Sequence, residues 1–188
     1  MTYQFKPAQR SDTKPLIGLY GQSGCGKTYS ALLLARGMAG EKGRVGMIDT
    51  ESGRGSLYAD VLPGGYEVME LSAPFTPDSY IEAIEAAEKS GIDVLIIDSA
   101  SHEWEGIGGV LDMAADIEKR TGKPGLHCWK DPKLKHQKFM LKLLQAKVPV
   151  ILFLRAKYKS RQVRNERTGK QEIIKDDYTT PQQAEDFI

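Results

Sequence analysis

The chain has 188 residues, 40% of them hydrophobic and 27% charged, enough for one sizeable core and one folded domain, 15–188, behind a flexible start over residues 1–14. No stretch approaches the roughly 20 apolar residues of a membrane span, and the start lacks the apolar core of a signal peptide, so a soluble, cytoplasmic protein is expected. The formal charge of +1 conceals 9 Lys/Arg against 18 Asp/Glu in residues 1–118 and 17 against 3 in residues 119–175.

Cys25 and Cys128 stand far apart without metal-ligand spacing, which sets aside a disulfide framework and a zinc site. The charge split is the footprint of a polyanion-binding surface, of a face that pairs with the acidic half of a neighbouring subunit, or of an ordinary solvated surface.

Leu16–Tyr20 reads as a short buried strand that runs into a glycine-rich turn. Residues 28–38 then place Ala31, Leu32, Leu34, Ala35 and Met38 at helical spacing, with Gly40 and Gly43 at the stop. Between strand and helix, Gly21-Gln22-Ser23-Gly24-Cys25-Gly26-Lys27-Thr28 fits G-x-x-x-x-G-K-[ST] in full. Its glycines let successive N–H groups point at phosphate oxygens, and the helix N-terminus adds its positive dipole end. Lys27 is expected to reach the β- and γ-phosphates of ATP, and the Thr28 hydroxyl to ligate Mg²⁺.

Residues 45–48 form the next strand, ending at Asp49-Thr50-Glu51, and residues 79–90 a helix with Ile81, Ile84 and Ala87 on one face. Val94–Ile97 is an uninterrupted apolar run, as a central parallel strand covered on both faces requires. Asp98 closes it, where a Walker B aspartate holds the Mg²⁺ shell. Residues 137–144 read as a helix and 148–154 as a strand, despite Pro149. The alternation predicts an α/β fold with a mostly parallel sheet flanked by helices on both faces. Residues 155–177 read as a hairpin or mobile loop, and Phe187-Ile188 as the opening of a further C-terminal element.

With Ile48-Asp49-Thr50-Glu51 the second strand resembles that of RecA-like recombinases. The resemblance implies Glu51 as the general base that polarises the attacking water. Tyr58-Ala59 is similar to the pair whose ring stacks on adenine, which implies Tyr58 for the base. Asp98-Ser99-Ala100-Ser101-His102-Glu103-Trp104-Glu105-Gly106 and the late Lys175-Asp176-Asp177-Tyr178 look like the small RecA-like P-loop ATPases of bacteriophages, some of which act in single-strand annealing and homologous recombination. His102 and Glu103 would orient water or sense the γ-phosphate, with a hydrogen-bonded structural role for His102 as the alternative.

Where that family commonly ends a strand in Asn-Gln, this chain has Arg155-Ala156-Lys157. Arg155 would then stabilise transition-state charge within its own subunit, with Lys157, Lys159 or Arg161 reaching a neighbour's nucleotide in a homo-oligomer. Trp129 with Lys130, Lys133, Lys135 and Lys138 combines an aromatic and cations, the ingredients of a single-stranded DNA groove. A DNA-coupled ATPase is the leading reading; a small-molecule kinase and a non-hydrolysing, nucleotide-gated assembly module are the alternatives.

Overall fold

A computed structural model describes Pro7, residues 14–164 and residues 171–181; within the last stretch of chain it gives the backbone but not the side chains of 157–162, 164 and 172–181. In chain order the elements are β1 (Leu16–Gly21), α1 (Lys27–Ala39), β2 (Val45–Asp49), β3 (Glu67–Glu70), α2 (Pro77–Ser90), β4 (Val94–Asp98), α3 (Ser101–Glu105), α4 (Val110–Thr121), α5 (Lys130–Leu144), β5 (Val150–Arg164) and β6 (Gln171–Pro181). The strands lie side by side as β1-β5-β4-β2-β3, all parallel. β6 pairs antiparallel with the outer part of β5.

The period of two along each strand divides the core. Val45, Met47, Val94, Ile96, Ile151 and Phe153 meet Ala31, Leu32 and Ala35 of α1 on one face. Ile48, Leu95, Ile97, Val150, Leu152 and Leu154 meet Tyr80 and Ile84 of α2 and Phe139 and Leu143 of α5 on the other. The sheet is therefore parallel and flanked by helices on both faces, as the alternating pattern predicts. Helix α2 shows the local rules directly: the Thr76 side chain accepts from Ser79 N–H at 3.0 Å, Pro77 follows it, and Gly91 closes the end at φ 80°.

Three elements escape the sequence reading. β3 is a four-residue edge strand with little burial, so it carries no apolar run. α3 is five residues long. α4 buries only Val110 and Ala114. Two boundaries also move. α5 begins at Lys130 rather than 137, because Pro132 sits in its first turn, where a missing N–H costs nothing. β5 starts at Val150, past Pro149, and runs on to Arg164 to pair with β6, so residues 155–177 include the arms of a hairpin.

Candidate functional site

Parallel strands all end on the same edge of the sheet, and that edge collects the chemistry. The last residues of β1, β2 and β4 lead into the glycine loop, Glu51 and Asp98, and Arg155 stands level with Gly21 on the neighbouring strand. They enclose a cleft of about 640 Å³ lined by Gly21, Ser23, Gly24, Gly26, Lys27 and Thr28 on one side, and by Glu51, Tyr58, Asp98 and Arg155 on the other. Gln22 and Cys25 complete the loop between those residues, with Cys25 exposed.

Gly24 and Gly26 hold φ of 80° and 86°, which L side chains rarely adopt, and nothing lies within 4 Å of where either Cβ would be. The loop is thus an open concavity at the start of α1, of the kind that receives phosphate oxygens. Lys27 Nζ bends over it and donates to the carbonyls of Gly21 and Gln22, both at 2.9 Å. Thr28 Oγ1 donates to Asp98 Oδ2 at 3.3 Å. This hydroxyl and carboxylate are hard oxygen donors of the type Mg²⁺ takes together with phosphate oxygens and water. Among the described residues no cluster of three or more His, Cys, Asp or Glu forms, so any cation here would depend on oxygens from a ligand.

Burial, then the neighbouring charge of Glu51, pushes the Asp98 carboxyl up to about 6. Its native pKa lies above the unfolded value of about 3.9, so the native state binds more protons between those values and stability falls as pH rises from about 4 to about 6. Asp98→Asn is therefore expected to stabilise the ligand-free protein by about 2 kcal/mol at pH 7 to 8, and to lose that advantage near pH 4. Urea denaturation at both pH values checks this; an equal shift at the two would remove the carboxyl's charge as the cause.

Asp49 is 2% exposed and its carboxylate holds the turn that follows β2. Its Oδ1 accepts from Glu51 N–H at 2.7 Å and its Oδ2 from Gly55 N–H at 2.8 Å. Glu51 is thereby aimed into the cleft, where Oε1 accepts from Arg155 at 2.9 Å and Oε2 from Arg54 at 2.5 Å. Burial raises the Glu51 carboxyl, but the hydrogen bonds from Arg155 and then Arg54 outweigh it and hold the group below the ordinary range.

Helix α3 braces this corner. Ser101 Oγ accepts from Arg155 N–H at 2.8 Å, and Glu105 lies 3.8 Å from the Arg155 guanidinium. His102 Nδ1 is 2.7 Å from Thr50 Oγ1 and its ring stacks on Phe75; burial and then the charge of Arg155 lower its pKa, keeping it neutral at pH 7. Glu103 turns away from the cleft, wholly buried, to His136 of α5 at 3.0 Å. Of the Ser-His-Glu-Trp stretch, then, His102 is held by Thr50 and Phe75 behind the cleft rather than in its lining, and Glu103 ties α3 to α5.

Arg54, Tyr29 and Leu57 also line the cleft, and the sequence reading passes over all three. Arg54 had a signal: a cation flanked by two glycines, three residues after the acidic strand end. Tyr58 lines the cleft while packing on the α1-side core. The basic candidates lie elsewhere, at the start of α5 and just before it. Lys130, Lys133 and Lys138 are exposed, Lys135 pairs with Asp78 at 2.7 Å, and the half-buried Trp129 stacks on Trp104 with centroids 6.5 Å apart. The side chains of Lys157, Lys159 and Arg161 fall outside the described residues.

Comparison with known proteins agrees with this fold. The chain is 37% identical to the protein RecA of Clostridium beijerinckii over 108 residues, which cover 57% of this chain and 28% of that protein. It is 32% identical to the protein RecA of Bacillus subtilis over 87 residues, 46% of this chain and 25% of that protein. The chain thus spans about a quarter of the length of these curated relatives. A family model described as an AAA domain matches residues 13–186. With a glycine loop between β1 and α1 and a parallel sheet covered on both faces, the chain belongs to that AAA-domain family of P-loop NTPases and has remote homology to RecA.

Proposed function

We propose that this protein binds ATP with Mg²⁺ and hydrolyses it as a RecA-like ATPase, with turnover coupled to single-stranded DNA in recombination or annealing. The observation that carries the reading is the meeting in one cleft of the glycine loop, Lys27, the Thr28–Asp98 pair and Glu51. The backbone amides of residues 21–28 receive the phosphates, and Lys27 exchanges its two loop carbonyls for β- and γ-phosphate oxygens. Thr28 and Asp98 hold Mg²⁺, which neutralises charge on those oxygens when bound. Glu51 accepts a proton from the attacking water, and Arg155 stabilises the charge that develops at the γ-phosphate. Tyr58 offers its ring to the adenine.

Lys130, Lys133 and Lys138 of α5, set in the basic segment, support contact with a DNA backbone, with Trp129 and Lys135 at its margin because each has a partner within the fold. About three neutralised phosphates on a single strand imply a salt slope near −2, so DNA affinity should drop about ten- to twenty-fold between roughly 50 and 200 mM salt. Phosphate release measured with and without single-stranded DNA at those salts tests the coupling. DNA stimulation that fades with salt supports it; ATP binding with no stimulation at either salt removes DNA as the partner of this chain. A homo-oligomer in the cytoplasm, with nucleotide at subunit interfaces and Lys157, Lys159 or Arg161 reaching across, fits the opposed charges of the two segments.

One observation favours a second reading, a nucleotide-gated assembly module. Both Glu51 oxygens are engaged by guanidinium groups, and a carboxylate so neutralised is a weak base. Hydrolysis by the chain alone would then be slow.

A further inference from the structure

Arg54 lines the cleft opposite the glycine loop, with Lys27, Thr28 and Asp98 in the same lining. The turn that carries it is held at both ends by the buried Asp49 carboxylate. Gly55 packs so closely that a Cβ there would meet Met47 Sδ at 2.8 Å, and Gly53 holds φ 87°. The backbone is thus fixed while the Arg54 side chain stays 59% exposed and can swing without disturbing the core. Its guanidinium lies on Glu51 Oε2 and lines the same cleft as Lys27, Thr28, Asp98 and Arg155. Arg155, the other arm on Glu51, is anchored at its backbone by Ser101 and at its head by Glu105 as well. The two arginines are therefore unequal: one is braced, the other is not.

Resting on the nucleotide reading above, we infer that Arg54 is a phosphate-sensing residue that leaves Glu51 for the terminal phosphate of a nucleoside triphosphate and returns to Glu51 when only a diphosphate is bound. The chemistry favours the exchange in one direction. A terminal phosphate carries more negative charge than a carboxylate and offers three acceptor oxygens to the planar guanidinium fork. A diphosphate has no such group at that end of the cleft. Release of Oε2 frees Glu51 to face water only when there is a phosphoryl group to transfer, so the same movement that recognises substrate readies the base.

Calorimetric titration of the full chain with Mg²⁺ and either ADP or a non-hydrolysable ATP analogue tests this without any turnover. Arg54→Ala should weaken the triphosphate analogue by about ten-fold, the worth of one charge-assisted contact, and ADP by less than about two-fold. Glu51→Gln loosens the hold on Arg54 and should tighten the analogue; in the Arg54→Ala background at least half of that gain should vanish. An equal loss for both nucleotides, no loss for either, or the same Glu51→Gln gain with and without Arg54 each overturns the sensor while leaving nucleotide binding intact. Wild-type protein that binds neither nucleotide overturns the sensor and the nucleotide reading together.

Discussion

Lys27→Ala should lower ATP affinity by about a hundred-fold and turnover by a further two to three decades, because in the proposed reaction the ammonium would make charge-assisted bonds of about 1.5–3 kcal/mol each to two phosphate groups and would strengthen its hold as charge builds in the transition state. The fold should scarcely notice. Lys27 Nζ serves the Gly21 and Gln22 carbonyls in the ligand-free loop, but that loop is largely exposed, and water takes over both acceptors. A change in unfolding free energy within about 0.5 kcal/mol is expected, as for other surface substitutions. Fluorescent-nucleotide titration and urea denaturation on the same preparation separate the two effects. Retained affinity would mean that the loop grips the phosphates by its amides alone and that Lys27 is a structural clasp.

Glu51→Gln should separate binding from chemistry. The amide keeps the size of the side chain but cannot accept the proton of an attacking water, so steady-state phosphate release at saturating ATP should fall by about 10²- to 10⁴-fold. Affinity should improve, since Arg54 loses its carboxylate partner and turns to the phosphates while Arg155 stays braced by Ser101 and Glu105. The loss of two ion pairs costs little stability: the arginine side chains are 59% and 47% exposed, and such pairs contribute about 0–1 kcal/mol. Turnover within about two-fold of wild type would dismiss Glu51 as the base and favour the assembly module. Together the two variants ask different questions of one cleft, the first whether it holds phosphate and the second whether it activates water.

Two kinds of constraint make this chain legible, backbone geometry at glycine and burial. The glycine loop is readable because its sequence pattern is specific: positive φ favours glycine at 24 and 26, and a lysine and a threonine follow directly at 27 and 28. Val94–Ile97 is readable because a strand covered on both faces must be apolar throughout. The acids at the strand ends, Asp49, Glu51 and Asp98, could be picked out as a group, and the sequence offered roles for Glu51 and Asp98, yet the contacts that each acid makes could not be read. Asp49 spends both oxygens on backbone N–H groups of its own turn, Asp98 meets Thr28 across 70 residues of chain, and Glu51 meets Arg155 across 104.

The lysines of α5 illustrate the opposite case. As a string, residues 129–138 look like one basic, aromatic groove. Helical geometry spreads them: Pro132, His136 and Phe139 turn inward, Lys135 goes to Asp78, and Lys130, Lys133 and Lys138 point out. Likewise Glu103, adjacent to His102, enters the core to meet His136 instead of the cleft.

By itself, then, the sequence determined the α/β alternation, the phosphate loop and the acidic strand ends, because backbone periodicity and steric demands at glycine act over a few residues. Tertiary structure decided the order β1-β5-β4-β2-β3, the choice of which acid faces the cleft, and the arrival of Arg54 and Arg155 on opposite oxygens of Glu51. Those are contacts between distant segments, fixed by how two apolar faces of one sheet are covered, and no local pattern encodes them.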